Sequence, residues 1–185
     1  MLFRSHSATD GVSLAEAEII GRRQVREYFK WLRRCVPGFE DAELINMGDI
    51  GVRESRRVLG HYYLTANELA DCCKFPDAIA RCSYPVDIHN PRGTGTIIKV
   101  IPPGDFYEVP YGCIVPKDVD NLTIGGRPVS ADIAAHSSLR IMPTACSIGQ
   151  AAGLAAAMAV RGDTIPAKLD GVAVREALKA FGAKL

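Results

Sequence analysis

Residues 121–160, NLTIGGRPVSADIAAHSSLRIMPTACSIGQAAGLAAAMAV, constrain the fold more than any other part of the chain. Leu122 and Ile124 suit a short buried strand that ends at a glycine pair, and an irregular loop then leads to a long helix of small residues. Pro143 and Thr144 suit the start of that helix, because proline is tolerated where its missing N–H would have had no partner. A strand, a Gly-Gly turn and a helix in this order are typical of nucleotide-binding sites.

A complete dinucleotide site also requires the glycine fingerprint G-x-G-x-x-G between a strand and a helix, where backbone N–H groups approach the pyrophosphate. The nearest stretch, GTGTII at residues 93–98, lacks the third glycine and continues into β-branched residues. No Walker A, H-E-x-x-H or G-x-S-x-G motif and no calcium loop occurs in the sequence. The sequence therefore does not predict an autonomous nucleotide-binding enzyme.

The first third of the chain predicts one long helix followed by short elements. Apolar residues at three- and four-residue steps indicate an amphipathic helix over residues 14–34, with Ser13 and Glu16 at capping-box spacing. Residues 42–65 predict two short strands around a tight turn. Thr65 and Glu68 repeat the capping-box spacing, and we expect a helix from there to about residue 74.

The middle of the chain predicts a short helix over residues 77–81 and then extended segments. The Pro/Gly-rich turn PPGD separates residues 93–101 from residues 106–116 and predicts a hairpin. A last helix over residues 171–181 follows a polar linker. Because this order cannot form a complete parallel sheet with alternating crossovers, the predicted fold class is α+β.

Composition excludes several classes of function. The net charge of +1 gives no electrostatic reason to expect nucleic acid or an anionic membrane as a partner. The apolar run at residues 141–160 has about the length of a membrane span, but its alanines favour a buried helix and no membrane. The six cysteines form no C-x-x-C pair and the four histidines lack metal-ligand spacing, which indicates no metal site and reduced thiols in a cytoplasmic protein.

Several separated motifs resemble those of a known family. Residues 109–160 are similar to the C-terminal signature of FAD-dependent oxidoreductases of the glutathione-reductase-like class, which carry PYG-x-LVPK, NL-x-x-AGR-x-x-S, S-x-R-x-MPT and GQAAG stretches in this order. GVRESRRVLGHYYLT and DAIARCSYPVDIHNP, at residues 51–65 and 77–91, resemble the domain inserted between the two halves of the FAD domain. The resemblance covers residues 49–160, and we expect it to extend over the last helix.

The resemblance implies FAD as the cofactor and assigns residues to it by position. Residues 125–127 match the AGR stretch, where a returning strand passes close to the FAD, and Gly125 stands where the family usually has alanine. Residues 140 and 142–145 match the segment whose backbone lies against the isoalloxazine, and Gln150 falls within the GQAAG helix. These implied cofactor residues are Gly125, Gly126 and Arg127, then Arg140, Met142, Pro143, Thr144 and Ala145, and finally Gln150.

Two side chains near this segment are candidates for catalysis, although the catalytic residues themselves are unknown. Arg140 could neutralise an anionic flavin or hold a substrate carboxylate, and His136 could transfer a proton or serve only as a structural hydrogen-bonding residue. At the helix start, free N–H groups of Thr144, Ala145 and Cys146 would present the positive end of the helix dipole. That geometry stabilises an anionic group such as the N1–C2=O2 edge of a reduced flavin.

Two hypotheses follow from these observations. In the first, the chain is a C-terminal portion that supplies the second half of a flavin site, and the missing Rossmann half is supplied in cis or in trans. Residues 1–110 would then belong to the substrate-type inserted domain, residues 111–161 to the FAD-binding segment and residues 162–185 to a helical tail. In the alternative, the chain is a non-catalytic module that forms homo-oligomers through surfaces that the Rossmann half would cover.

Overall fold

The computed structural model describes residues 6–89 and 96–185. Within them lie five α-helices and four short strands, and the predicted α+β class is confirmed. The chain divides into two compact units, Met1–Arg56 and Arg57–Leu185. The three predicted domain ranges remain predictions.

The first unit consists of helix α1, Gly11–Cys35, and an extended segment. The predicted capping box at Ser13 is wrong, because Asp10 is the N-cap and its carboxylate accepts the Ser13 amide at 2.8 Å. Glu18, on α1, accepts the Ile50 amide at 2.9 Å and pairs with Arg22 at 2.7 Å. The hydrogen bond from Ile50, together with Arg22, lowers the pKa of the Glu18 carboxyl despite some desolvation. This carboxylate therefore attaches the extended segment to the helix.

The two strands predicted within residues 42–65 are absent from the structure, which describes this whole segment. The part of this segment that lies in the second unit donates its amides to carbonyls that are far from the segment in sequence: Val58 to Pro128, His61 to Val115 and Tyr62 to Gly112. Gly60 and Leu64 each form one isolated bridge. A regular strand needs a continuous partner, and here successive residues bond to different loops.

Helix α2, Ala66–Ala70, begins where the Thr65 and Glu68 pattern predicts, and the Glu68 carboxylate accepts the Thr65 amide at 2.8 Å. It ends four residues earlier than predicted, and Cys72 has a left-handed φ of 50°. A left-handed residue cannot continue a right-handed helix. The capping pattern therefore predicted the start of α2 correctly but not its end.

The helix predicted over residues 77–81 is wrong, since strand β1, Ala78–Cys82, occupies this position. Strands β2, Val86–His89, and β3, Thr96–Lys99, pair antiparallel with each other. Strand β4, Tyr107–Pro110, pairs antiparallel with β1. Two later helices, α4 (Met142–Arg161) and α5 (Gly171–Ala180), both pack against β1, and this tertiary packing selects a strand over a short isolated helix.

The predicted hairpin across PPGD is also wrong, although the turn itself is present. The Asp105 amide donates to the Pro102 carbonyl at 3.0 Å, and Gly104 has a φ of +84°. Proline followed by a glycine with positive φ is the signature of a type II turn. The chain on either side, β3 and β4, then pairs with two different strands, β3 with β2 and β4 with β1.

The remainder of the second unit is helical. Helix α3, Ile133–Leu139, lies where a loop was predicted. Helix α5, Gly171–Ala180, begins as predicted, whereas α4, Met142–Arg161, begins one residue before the predicted Pro143. Short 3₁₀ turns cover Tyr111–Ile114 and Pro166–Lys168. The buried strand expected at Leu122 is wrong: its side chain is 41% exposed and the segment is not a strand. The largest buried side chains of this unit include Tyr107, Leu64, Leu69, Ile79, Ile114, Leu139, Ile148 and Leu178.

Helix α4 is the one described helix whose length and composition would suffice to cross a membrane, with a mean hydropathy of 1.2 over its most apolar window. One side of it is buried, including Ile148, Ala151 and Ala155. A core helix of a soluble protein meets the same criterion, so the helix alone assigns no membrane location.

Candidate functional site

The glycine pair lies directly against helix α4. A Cβ added at Gly125 would lie 3.3 Å from the Gly149 Cα, so only glycine allows this close approach without a shift of the helix. Gly126 has a φ of +79°, and a Cβ there would be 3.9 Å from the Ala145 carbonyl oxygen. The turn therefore packs against the first two turns of α4.

Helix α3 supports the residue that follows the glycine pair. The buried His136 imidazole places Nε2 at 3.1 Å from the Arg127 carbonyl oxygen. A carbonyl can only accept, so Nε2 carries the proton and donates to it. This gives His136 a structural partner within the predicted site, and its catalytic role stays a prediction.

A buried chain of hydroxyl groups fixes the position of α3. Ser138 donates to the Tyr84 carbonyl at 2.6 Å, so the Tyr107 hydroxyl donates to Ser138 Oγ, also at 2.6 Å. Burial raises the pKa of Tyr107 far above its ordinary value, which keeps this donor protonated. The chain connects α3 to β4, and through α3 it supports His136.

The first turn of α4 differs from the prediction in one respect. The Ala145 amide donates to the Ile141 carbonyl at 2.9 Å, which is the first hydrogen bond of the helix. The prediction of free N–H groups at Ala145 and Cys146 is therefore wrong, because the helix begins earlier than expected. Pro143 has no N–H, so the amides that precede helical bonding are those of Met142 and Thr144.

The predicted cofactor residues differ widely in exposure. Met142 is 82% exposed and Pro143 is exposed beside it, whereas Thr144 is buried. Arg140 is half-buried and forms the C-cap of α3. Gln150 lies on the exposed side of α4, two turns from the helix start. The structure thus brings the glycine pair, Arg127 and the start of α4 together, and the roles of all nine positions stay predictions.

The family model for FAD-dependent oxidoreductases matches residues 3–178. The chain belongs to this family. The match is wider than the motifs recognised in the sequence, since it also includes α1 and most of α5. No curated protein and no solved structure matches the chain. Membership implies FAD as the cofactor and oxidoreduction as the class of reaction.

The residues at the start of α4 fit the ring system of the family's cofactor. The amides of Met142 and Thr144 are donors at the positive end of a 20-residue helix, which suits the acceptor edge of an isoalloxazine. The exposed Met142 and Pro143 side chains offer an apolar surface beside them. The sequence has no glycine fingerprint for the pyrophosphate. The fit is therefore to the ring of the cofactor.

Metal chemistry has no candidate ligands in residues 6–89 and 96–185, where no group of three or more His, Cys, Asp or Glu residues could hold an ion.

The sequence analysis did not predict helix α3, although a signal for its start was present. Asp132 accepts the Ala135 amide at 2.6 Å and starts the helix, and aspartate is among the preferred N-cap residues. A second feature that the sequence did not indicate is a cleft beside Arg81.

Proposed function

We propose that this chain forms the flavin-ring half of an FAD site in an oxidoreductase of the glutathione-reductase-like class. The pyrophosphate and adenosine would be held by a Rossmann half, in cis or in trans. The observation that carries the proposal is the exposed start of α4, against which Gly125 and Gly126 are packed. Family membership supplies the cofactor and the class of reaction.

In this proposal the chain's own groups hold and orient the ring. The Met142 and Thr144 amides donate to its acceptor edge, and the Met142 and Pro143 side chains shield it from water. Arg140 neutralises negative charge on the ring or binds a substrate carboxylate. Bound FAD supplies hydride or electron transfer, for which the protein provides orientation and electrostatics.

Surface features of the second unit support a covering Rossmann half. Residues 122–125 run without regular secondary structure, and within the described residues they take part in no strand pairing, although the Ile124 amide donates to the Ile114 carbonyl at 2.8 Å. A strand of a Rossmann sheet could pair with the other edge of this segment. The outer side of α4 is apolar, with Met142 and Val160 both 82% exposed. Exposed apolar surface of this kind marks an interaction site.

The test is a set of three titrations, followed by flavin fluorescence, with FAD, FMN and riboflavin. A site that contacts only the ring binds all three with affinities within about threefold of one another, a difference of less than ~1 kcal/mol. Much tighter binding of FAD would show that the chain holds the pyrophosphate as well. Absence of binding by a folded chain, even with a separately expressed Rossmann half, would overturn the proposal.

The alternative is a non-catalytic module that associates with itself. The same exposed side of α4 favours it, because two copies could bury their apolar residues against each other. Sedimentation of the purified chain distinguishes the two functions: a stable homo-oligomer that excludes flavin supports the alternative.

We further propose a cytoplasmic location, supported by the six free cysteines.

A further inference from the structure

A second candidate site lies away from the glycine pair, at a cleft of about 470 Å³ in the second unit. The type II turn forms one wall of it, and the end of β1 forms the other. Its volume is within the range of sites for small molecules. The residues that line it are Arg81, Cys82, Ser83, Ile101, Pro102, Pro103, Gly104, Asp105 and Phe106.

The lining is mostly apolar on the side of the turn, and the Asp105 carboxylate that also lies there is paired with Lys74 at 2.9 Å. Ile101 is buried, and Pro102 and Pro103 are exposed beside it. Phe106 adds an aromatic ring. Prolines and a type II turn restrict the backbone, so this wall is formed before a ligand arrives and loses little freedom when one binds.

The other essential feature is an excess of positive charge. Lys74, Arg81 and Arg175 lie around two carboxylates, those of Asp105 and Glu108. Lys74 is matched by Asp105 at 2.9 Å, while the buried Glu108 lies 3.4 Å from both arginines. One carboxylate between two guanidinium groups leaves one positive charge uncompensated within this cluster.

Arg81 is the member of the cluster that lines the cleft. It contacts Glu108 through Nε only, and in the part of the chain that the structure describes no partner is recorded for its two terminal nitrogens. Its guanidinium carbon lies 4.4 Å from the centre of the Phe106 ring. The ion pair and the ring hold the planar group in place, so its remaining donors are available to a carboxylate in a fixed orientation.

We propose that this cleft binds a small monocarboxylate with an apolar body. The terminal nitrogens of Arg81 receive the carboxylate, and the apolar body lies against Ile101, Pro103 and Phe106. Arginine matches a carboxylate with two parallel hydrogen bonds, which lysine cannot reproduce. The proposal is independent of flavin binding, because none of these residues belongs to the glycine pair or to α4.

The experiment uses the full chain with benzoate as the probe and benzamide as its neutral isostere, followed by shifts in the NMR spectrum. We expect saturable binding of benzoate with a dissociation constant on the order of 1 mM, and at least about tenfold weaker binding of benzamide. Arg81→Gln should abolish the preference for benzoate. Lys179→Gln is the matched control: Lys179 is paired with the exposed Glu176 at 2.7 Å and does not line the cleft, and benzoate affinity should change less than about threefold.

A second variant fills the cleft from the wall at the end of β1 and leaves the arginine in place. Ser83→Trp places a large ring at the exposed position of Ser83, within the lining, and should block benzoate while the chain remains folded by circular dichroism. Equal binding of benzoate and benzamide, unchanged binding in Arg81→Gln, or no saturable benzoate binding by the folded chain would each overturn the proposal.

Discussion

The carboxylate of Asp132 accepts the amide of Ala66 at 2.8 Å, across 66 positions of the chain. Its other oxygen accepts the Ala135 amide at 2.6 Å. One side chain thereby caps α2 and α3, two helices that are far apart in sequence. Because α3 carries His136, this double cap also supports the residues that hold the glycine turn.

We expect Asp132→Ala to lower the free energy of unfolding by about 2 kcal/mol, since a single cap contributes about 1 kcal/mol and this residue provides two. Asp132→Asn retains one oxygen acceptor and should recover about half of the loss. Asp170, which caps only α5 through the Val172 amide at 3.0 Å, is the matched control. Urea unfolding measures all three variants, and an equal loss in Asp170→Ala would contradict the double cap.

The buried Glu108 should be far more sensitive to neutralisation than an exposed carboxylate. It accepts the Phe75 amide at 2.9 Å and faces two arginines, of which Arg175 is only 16% exposed. Glu108→Gln leaves these cations without their partner, and we expect a loss of about 3–5 kcal/mol. Glu176→Gln, which removes the exposed pair with Lys179, should leave the urea midpoint unchanged. Similar midpoints for the two variants would contradict the buried network.

Stability should fall in acid partly through Glu68. Desolvation acts to raise the pKa of this carboxyl, but hydrogen bonds from Tyr62 and Thr65 together lower it below its ordinary value. A carboxyl whose folded pKa is lowered stabilises the protein above its unfolded pKa of about 4.3, and this contribution is lost as the pH falls through the folded value.

Glu68→Gln should therefore make the free energy of unfolding less dependent on pH below about 5, while the glutamine preserves the capping box. Tyr62→Phe removes one of the hydrogen bonds and should have an intermediate slope. Urea unfolding at a series of pH values measures the slopes. A slope for Glu68→Gln as steep as that of the unmodified chain would show that Glu68 has no role in acid unfolding.

Flavin binding and helix stability should respond in opposite directions to charge at the start of α4. Met142→Glu places a carboxylate at the positive end of the helix, which should stabilise it by about 0.3–1 kcal/mol. The same charge repels the acceptor edge of a flavin and should weaken binding by about tenfold or more. Val160 has the same exposed fraction, 82%, at the other end of the helix. Val160→Glu should destabilise α4 slightly and leave flavin affinity unchanged, and equal losses in the two variants would exclude a flavin at the helix start.

Replacement by alanine should destabilise the protein at Gly60 and stabilise it at Gly153. A Cβ at Gly60 would lie 2.5 Å from the Gly112 carbonyl oxygen and 2.9 Å from the Ser130 Cβ, so backbone must move. We expect Gly60→Ala to cost about 1–3 kcal/mol or more. A Cβ at Gly153, on the exposed side of α4, would meet nothing within 4 Å among the described atoms. Gly153→Ala should stabilise the chain by about 0.5–1 kcal/mol, measured by thermal unfolding.

The sequence alone was sufficient at several places where the decisive interaction joins neighbouring residues. The Thr65–Glu68 pattern, the PPGD turn and the proline at the start of α4 all involve hydrogen bonds or φ angles within a few residues. The family motifs are likewise local strings, and they identified the FAD-dependent oxidoreductase family that the family match then established.

The partners of the extended segments were decided only by the tertiary structure. Residues 77–81 have a weak local preference, and they form a strand because β4, α4 and α5 pack against them. Residues 42–65 also have a weak local preference, and they stay irregular because they have no continuous partner. The same holds for the candidate sites. Local spacing cannot show that Gly125 touches Gly149, that Asp132 reaches Ala66, or that Arg81 lies over Phe106 with a spare charge, because these contacts depend on how distant segments pack.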